Sequence, residues 1–272
     1  MLGIYDTGLG GLAVTKEILK LLPELDLVYL ADQNSLPLGS KTGDQIQAIT
    51  KNGVEILFGL GCDLVLLACN TATVNTIRHL QQVWLLEQNL NQTHNILGVS
   101  QPLLEILEDR KLELSHKNGL LLATKATYNS GFYQSQVKQG GYFKLETIGC
   151  PGLADAVEIQ DSNQDTNMVR QVLMQICETQ NIDIPNLEYL VLGCTHYCWI
   201  EAEIKEFFGQ KIAVINPAQI IARKLQQYLI NHPKYLAQNQ NQKFLINNPQ
   251  NLEKYTSFVQ KELAPDLVFE LV

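Results

Sequence analysis

The sequence predicts an α/β protein with two similar lobes, mainly parallel sheets and an active site in the cleft between the lobes. Three observations support this fold class. Unbroken runs of Leu, Val and Ile alternate with helical patterns, as in parallel strands that helices cover on both faces. The length of 272 residues suggests about two domains of roughly 150 residues. Two distant stretches also share one pattern, in which an apolar strand precedes a cysteine, a threonine and a helix.

The first half of the chain contains three pairs of strand and helix. Hydrophobic spacing predicts strands at 2–5, 27–31 and 64–68, helices at 12–22, 44–60 and 71–88, and a turn-rich loop at 32–41. Each apolar run is too short for a buried helix and has turn residues close by. We therefore expect a parallel sheet in this half.

The second half continues the alternation. Strands are predicted at 96–99, 119–123 and 189–192, and helices at 102–112, 128–138, 165–180 and 199–208. The C-terminal part is predicted to hold a helix at 219–229, an Asn- and Gln-rich surface loop at 231–242, a strand at 244–246, a helix at 251–263 and a strand at 267–272.

Composition limits the classes of partner. The net charge of −8 argues against a general nucleic-acid binder, which needs a basic face. No apolar run approaches the roughly 20 residues of a membrane helix, and the N-terminus lacks the pattern of a secretory signal. The six cysteines are therefore expected to be reduced thiols. We expect a cytoplasmic protein that binds neither nucleic acid nor membrane.

Two cysteines stand where parallel strands lead into helices. Cys69 follows the strand at 64–68 and precedes Asn70 and Thr71, and Cys194 follows the strand at 189–192. Ligands of α/β proteins bind beyond the carboxyl ends of strands. A helix N-terminus there binds anions and lowers the pKa of a thiol. The sequence therefore predicts two reactive thiols beside an anion site, whereas Cys62 and Cys177 are expected to be core residues.

The segment after Cys194 has three interpretations. His196 lies two residues beyond Cys194, where a short turn brings the imidazole near the sulfur. A metal site formed by Cys194, His196 and Cys198 would have tighter spacing than usual zinc motifs and no apparent fourth ligand. A Cys–His hydrolase is a further possibility, but it leaves Cys69 without a role. The other four histidines are expected at the surface or at helix ends.

The segment that contains Asp6, Thr7 and Gly8 allows two functions. Gly8-x-Gly10-x-x-Ala13 matches the letters of a dinucleotide fingerprint, and Asp32 stands near the expected offset. Against this, Asp6 would set a carboxylate beside the pyrophosphate. Asp6 makes better sense as a proton acceptor for a thiol across the cleft, with capping of the next helix as the alternative. The glycines are expected to let the backbone approach a ligand closely.

Two opposed thiols can invert an amino acid without a cofactor. One thiolate removes the α-proton while the other thiol returns a proton to the opposite face. A pyridoxal enzyme would need a lysine beside a phosphate site, and neither Lys41 nor Lys125 has such a setting. None of the four arginines falls in a motif, so we expect neutral and backbone donors for the substrate. We expect no cofactor and no metal.

These motifs together resemble the cofactor-independent aspartate/glutamate racemases, and among them the glutamate racemases. The resemblance covers essentially the whole chain. It rests on the residues at 5–11, on Ala31 and Asp32 with the turn at 37–39, on 68–73, on Ala123, Thr124, Thr127 and Ser130, on Cys150, Pro151 and Glu158, and on 192–197.

The resemblance implies an activity, a site and a division into lobes. It implies racemisation of glutamate, with D-glutamate supplied for peptidoglycan precursors, and a homodimer. Residues 1–96 and 211–272 would form one lobe and 97–210 the other. Cys69 would be the base for the D-isomer and Cys194 the base for the L-isomer, with assistance from Asp6, His196 and Glu158. The substrate would contact Cys69, Cys194, Asp6 and His196. It would also contact Thr7, Pro37, Leu38, Gly39, Asn70, Thr71, Thr127 and Thr195.

Several positions depart from the family pattern. Thr7 replaces a usual Ser, Leu38 a usual Tyr, Ser100-Gln101 a usual Ile-Glu, and Cys198 a usual Pro. These changes concern substrate specificity and subunit contacts more than reaction type. A racemase of aspartate or another amino acid, and a non-catalytic amino-acid-binding protein of the same fold, are the alternatives.

Overall fold

The computed structural model describes residues 1–142, 144–159 and 167–272. Strands are β1 (Leu2–Asp6), β2 (Leu27–Ala31), β3 (Leu64–Leu67), β4 (Asn95–Gly98), β5 (Gly119–Ala123), β6 (Leu145–Gly149), β7 (Tyr189–Leu192), β8 (Ala213–Ile215), β9 (Gln242–Ile246) and β10 (Phe269–Leu271). Helices are α1 (Gly10–Leu21), α2 (Gly43–Gly59), α3 (Asn70–His79), α4 (Leu85–Glu87), α5 (Ser100–Asp109), α6 (Lys111–Leu114), α7 (Lys125–Asn129), α8 (Phe132–Gly140), α9 (Leu153–Ile159), α10 (Asn167–Thr179), α11 (Glu201–Phe208), α12 (Ala218–Asn231) and α13 (Leu252–Glu262). A π-helical turn at Leu80–Trp84 joins α3 to α4, and a 3-10 helix at Thr195–Ile200 precedes α11.

Two parallel sheets form the framework. The first has the strand order β10-β9-β2-β1-β3-β4 and the second β6-β5-β7-β8, and all their pairings are parallel. Each sheet therefore contains four strands in the order second, first, third, fourth. This shared order confirms the prediction of two similar α/β units. It also explains the matched motifs, because Cys69 and Cys194 each follow the third strand of a unit.

The C-terminal strands complete the first sheet. β9 pairs with β2, and β10 pairs with β9. The pairing of β8 with β7 places 213–215 in the second sheet, beyond the limit of 210 that the resemblance implies. Gly98 of β4 belongs to the first sheet, beyond the limit of 96. A division that follows the sheets therefore comes after Gly98 and after Ile215, and the limits of the lobes themselves stay a prediction.

Some predicted elements differ from the structure. Strands β6 and β8 and helix α9 were not predicted, because β6 carries the exposed Glu146 and β8 has only three residues. The helix expected at 128–138 is two helices, α7 and α8, because Gly131 adopts a left-handed conformation with φ of 68°. Of the helix expected at 165–180, residues 165 and 166 lie outside the described residues.

Each sheet is buried between helices. Apolar clusters lie on both faces of the first sheet, around Ile4 on one side and Tyr5 on the other, and two further clusters cover the second sheet. Cys62 and Cys177 lie in these cores, as expected. Throughout the described ranges, no helix has the length and apolar character needed to cross a bilayer.

Candidate active site

A cavity of about 110 Å³ lies where the carboxyl ends of the two sheets face each other. Both sheets contribute to its wall, including Thr7, Pro37, Leu38, Gly39, Cys69 and Thr71 from the first and Thr124, Lys125, Cys150, Glu158, Cys194 and His196 from the second. Pockets for drug-sized ligands span roughly 300–1,000 Å³. The cavity therefore suits a molecule much smaller than a dinucleotide.

Four predicted site residues lie behind this wall. Asp6 is fully buried at the end of β1, and Thr195 donates a hydrogen bond of 3.3 Å to its Oδ2. Asn70 Oδ1 accepts a bond of 2.5 Å from Tyr133. Thr127 contacts the cavity residue Thr71 through a hydroxyl–hydroxyl distance of 3.2 Å. These residues support the groups that reach the cavity.

Cys194 has a charged pair beside it. His196 Nδ1 lies 3.9 Å from Cys194 Sγ, and His196 Nε2 donates to Glu158 Oε1 at 2.7 Å. Burial opposes the charge on the imidazole, but its bonds to Cys194 and Glu158 outweigh burial and hold the pKa of His196 well above its ordinary value. Burial would raise the pKa of Glu158, but His196, together with the hydrogen bonds from Leu9 and Tyr255, outweighs burial and the pKa is lowered. Both shifts favour the imidazolium form of His196 and the carboxylate form of Glu158.

Glu158 is held from several directions. Its Oε1 also accepts from the backbone N–H of Leu9 at 2.6 Å, and its Oε2 accepts from the Tyr255 hydroxyl at 2.9 Å. Lys254 donates to its backbone carbonyl oxygen. Glu158 belongs to α9 beside the second sheet, whereas these partners belong to elements beside the first sheet. The carboxylate therefore ties the two sides of the cleft together.

The N-terminal glycines serve this contact. A Cβ at Gly8 would lie 1.9 Å from Glu158 Oε1 and 3.0 Å from His196 Nε2, and one at Gly10 would lie 2.5 Å from His196 Nδ1. The backbone thus approaches two side chains of the second unit, which corrects the expectation that it approaches a ligand. Glu158, Thr195 and His196 lie directly against these glycines, where a dinucleotide site would need the glycines to face the ligand. The dinucleotide interpretation is therefore wrong.

Cys69 stands in a different environment. Burial raises the pKa of its thiol well above the ordinary value, and the nearby Asp6 adds to the rise, while backbone N–H groups of Ala72 and Thr71 oppose it. The expected lowering of the pKa by the start of α3 is therefore outweighed. Asp6 itself has its pKa raised from 3.8 to about 6, because burial exceeds the opposing effect of His196.

The capping role weighed for Asp6 is excluded by its contacts. Asp6 Oδ1 accepts from the backbone N–H of Gly8 at 2.9 Å, and no side chain caps the first turn of α1. Among the described residues, no group of three His, Cys, Asp or Glu side chains is arranged to hold a metal ion. Both ring nitrogens of His196 already face Cys194 and Glu158. The metal interpretation therefore lacks a ligand set.

Three hydroxyls form a closed cluster at the cavity wall. Thr71 lies 2.8 Å from Thr124 and 3.2 Å from Thr127, and Thr124 donates to Thr127 at 3.0 Å. Thr124 lines the cavity and caps α7 by accepting from the N–H of Thr127. It belongs to the resembling motif at 123–130 but was not predicted as a site residue. Its position directly after β5, the first strand of the second unit, corresponds to that of Thr7 directly after β1.

Other functional residues had no local signal in the sequence. Tyr255 lies on a predicted helix, where a buried aromatic residue is usually core. Lys125 lines the mouth of the cavity but stands in no motif of its own. His79 and His94 are half-buried, and His116 and His232 are exposed, as expected.

The fold and the site define a two-unit α/β protein with a pair of thiols that line one small cavity. A family model described as Asp/Glu/Hydantoin racemase matches residues 10–225. The chain belongs to this family. Among its relatives are glutamate racemases from Paracoccus denitrificans, 33% identical with 86% of each chain covered, and from Jannaschia sp., 32% identical with 98% of each chain covered.

Solved structures agree with this assignment. A glutamate racemase isoform from Bacillus anthracis superposes with a TM-score of 0.81 at 26% identity, over 100% of this chain and 97% of that chain. A glutamate racemase from Francisella tularensis, solved with D-glutamate, has the same fold, with a TM-score of 0.78 at 22% identity over 100% and 96% of the two chains.

Proposed function

We propose that the protein interconverts L- and D-glutamate by proton transfer at Cα between two thiols, Cys69 and Cys194. One observation carries the mechanism: both cysteines follow equivalent strands of two facing units and line the same cavity. Membership of a racemase family and the similarity to glutamate racemases support the reaction and the substrate.

The two thiols act in opposite protonation states. From L-glutamate, the Cys194 thiolate takes the α-proton, and the electron pair stays on Cα. Cys69 then gives its own proton to the opposite face of that carbon, which yields D-glutamate, a Cys194 thiol and a Cys69 thiolate. The reverse reaction runs through the same steps backwards. No proton is gained or lost by the substrate overall.

The neighbours of each thiol suit these roles. The raised pKa of Cys69 favours its protonated form, which is the donor in the reaction of L-glutamate. The His196 cation beside Cys194 Sγ supplies a charge partner for the thiolate. Asp6, with a pKa of about 6, is a carboxylate at neutral pH and can accept the proton that Cys69 must lose before D-glutamate reacts.

Neutral groups can hold the substrate carboxylates. Thr7, Thr71 and Thr124 line the cavity, and α3 begins at Asn70 with backbone N–H groups that have no helical acceptor. Such donors stabilise an anion and the negative charge that develops on the carboxylate side of the carbanion. Leu38 gives the cavity an apolar surface where the family usually has Tyr.

The test follows the α-proton. Dialysed protein in D₂O is given L-glutamate, D-glutamate or L-aspartate, and optical rotation and deuterium at Cα are followed. We expect both glutamate isomers to racemise and to gain deuterium at Cα, without added pyridoxal phosphate. Binding of glutamate without exchange would contradict the reaction, and faster turnover of aspartate would contradict the substrate.

Three further statements depend on this function. We propose that the D-glutamate formed serves peptidoglycan precursor synthesis, in line with the similarity to glutamate racemases. The homodimer and the cytoplasmic location stay predictions. Gel filtration with light scattering checks the first, and cell fractionation checks the second.

A further inference from the structure

We propose that Tyr255 of the C-terminal helix α13 is a positioning residue, which fixes Glu158 so that its carboxylate holds His196 against Cys194. This inference rests on the proposed racemisation. It assigns a catalytic purpose to the segment that closes the first sheet, and it concerns a side chain that does not line the cavity.

Tyr255 completes the set of donors around one carboxylate. Glu158 Oε1 accepts from Leu9 N–H and from His196, at 2.6 and 2.7 Å, so that oxygen has two donors. Tyr255 is the side-chain donor to Oε2, at 2.9 Å. A carboxylate held through both oxygens has one orientation. Loss of the Tyr255 bond would free Oε2 and let the carboxylate rotate away from the imidazole.

Tyr255 is itself held rigidly. Its side chain is fully buried and its ring packs edge-on against Phe269 of β10, with ring centroids 5.4 Å apart. Gln33 donates to its hydroxyl oxygen, and Asn251 donates to the side-chain oxygen of Gln33. A chain of hydrogen bonds therefore runs from the start of α13 through Gln33, Tyr255 and Glu158 to His196.

The charges near these hydrogen bonds determine in which direction Tyr255 shifts the pKa of His196. Burial raises the pKa of Tyr255 well above its ordinary value, so its hydroxyl stays a donor over the working range of pH. Other titratable groups near Glu158 and His196 are Asp6, Tyr29, Cys194 and Lys254. A donor at Oε2 stabilises the carboxylate form of Glu158, and that charge in turn stabilises the imidazolium.

The test is Tyr255→Phe, which removes only the hydroxyl. We expect kcat/KM to fall about tenfold, which corresponds to one hydrogen bond to a charged group. KM should change little, because Tyr255 does not touch the cavity. The alkaline limb of the pH profile should move to lower pH, since a less firmly held Glu158 stabilises the charge on His196 less well.

Two controls separate positioning from general stability. Tyr189→Phe removes another buried hydroxyl, which has no hydrogen-bond partner among the described residues and does not line the cavity, and it should leave the rate and the pH profile unchanged. Should Tyr255→Phe fail to fold, Gln33→Met carries the test, because it removes a donor to the Tyr255 oxygen and should give a smaller shift in the same direction.

A direct titration keeps this inference separate from the proposed function. The imidazole nitrogens of His196 can be followed by NMR in ¹⁵N-histidine-labelled protein, with or without any activity. A lower His196 pKa in Tyr255→Phe supports the inference even if glutamate is not racemised. An unchanged His196 titration and an unchanged pH profile in the folded variant would overturn it, whatever happened to its melting temperature.

Discussion

The two cysteines occupy equivalent positions in the two units, yet their surroundings differ in charge. Cys194 lies beside an ion pair, the imidazolium of His196 and the carboxylate of Glu158. Cys69 lies among backbone N–H groups and near Asp6, a buried carboxyl whose pKa is raised. The repeated topology therefore places both sulfurs equivalently, but the charged group beside each sulfur is different.

Thermodynamics limits how the difference between the two cysteines can appear in the kinetics. Mirror-image amino acids have equal free energies in solution, so kcat/KM must be the same in both directions for any variant of a racemase. An asymmetric site can therefore differ between the isomers only in kcat and KM taken separately and in the pH at which each form of the enzyme is populated. Measurements that compare the two sides must report those quantities.

The largest effect is expected from removing either sulfur. Cys69→Ala and Cys194→Ala should each lose racemisation by about a thousandfold or more, within the range for loss of positioned proton transfer. The remaining thiol should still exchange one isomer with solvent. We expect Cys194→Ala to place deuterium in D-glutamate and Cys69→Ala to place it in L-glutamate, as read by NMR.

Cys177→Ala is the matched control, because Cys177 is buried in the core of the second unit and does not line the cavity. It should racemise at nearly the native rate. Exchange of the same isomer by both active-site variants would break the proposed division of labour, and normal racemisation by either would break the two-thiol mechanism.

The second effect concerns the Cys69 side alone. Asp6→Asn should lower kcat for D-glutamate by roughly a hundredfold, since the acceptor of the Cys69 proton is lost. The acid limb near pH 6 that its pKa predicts should disappear from the rate profile. A profile that kept this limb would assign it to another group.

The same variant should be more stable than the native protein at neutral pH. Burial raises the Asp6 pKa from 3.8 to about 6, so ionisation of Asp6 opposes folding by about 3 kcal/mol above pH 6. Below pH 3.8 the carboxyl is protonated in both the folded and unfolded states, and the gain should vanish. Denaturant unfolding at pH 8 and pH 3.5 measures this, and equal gains at both would point to packing.

The smallest effect is expected from adding a methyl group at Gly8, next to the His196–Glu158 pair beside Cys194. In Gly8→Ala, the new carbon would meet Glu158 Oε1 and push it from His196. We expect a tenfold loss of kcat/KM or somewhat more, and a loss of about 1–3 kcal/mol in unfolding free energy from overpacking. Gly43→Ala, whose nearest neighbour would be 4.0 Å away, should change neither. Native kinetics in Gly8→Ala would show that the ion pair tolerates displacement.

Sequence patterns predicted the centre of the fold better than its edges. The bounds of β2, β5 and β7 match the prediction because these strands are unbroken apolar runs buried on both faces. The edge strand β6 was missed because the exposed Glu146 interrupts its apolar pattern, and β8 was missed because it has only three residues. Breaks within predicted helices were also missed, at Gly131 and between α5 and α6, because the helical spacing of apolar residues continues on both sides of them.

The site shows a similar limit. Motifs at strand ends predicted that Cys69 and Cys194 meet, because parallel strands bring their carboxyl ends to one edge. The local rule for thiol pKa gave the wrong direction at Cys69, because burial raises the pKa of this thiol and depends on the packing of the whole fold. Tyr255 could not be found for the same reason: its partner Glu158 is 97 residues away.

The cavity that both sulfurs line has a geometric consequence for ligands. Suppose that three substituents of the α-carbon bind in the same places in both enantiomers. The fourth substituent then points toward one sulfur in one enantiomer and toward the other sulfur in its mirror image. Since the cavity has a volume of only about 110 Å³, we expect hydrogen to be the substituent that fits at that position. A quaternary analogue, with methyl in place of hydrogen, would collide with Cys69 in one hand and with Cys194 in the other. Both enantiomers of such a compound should therefore fail to bind. The same geometry that allows inversion also selects against a substituent in place of the α-hydrogen.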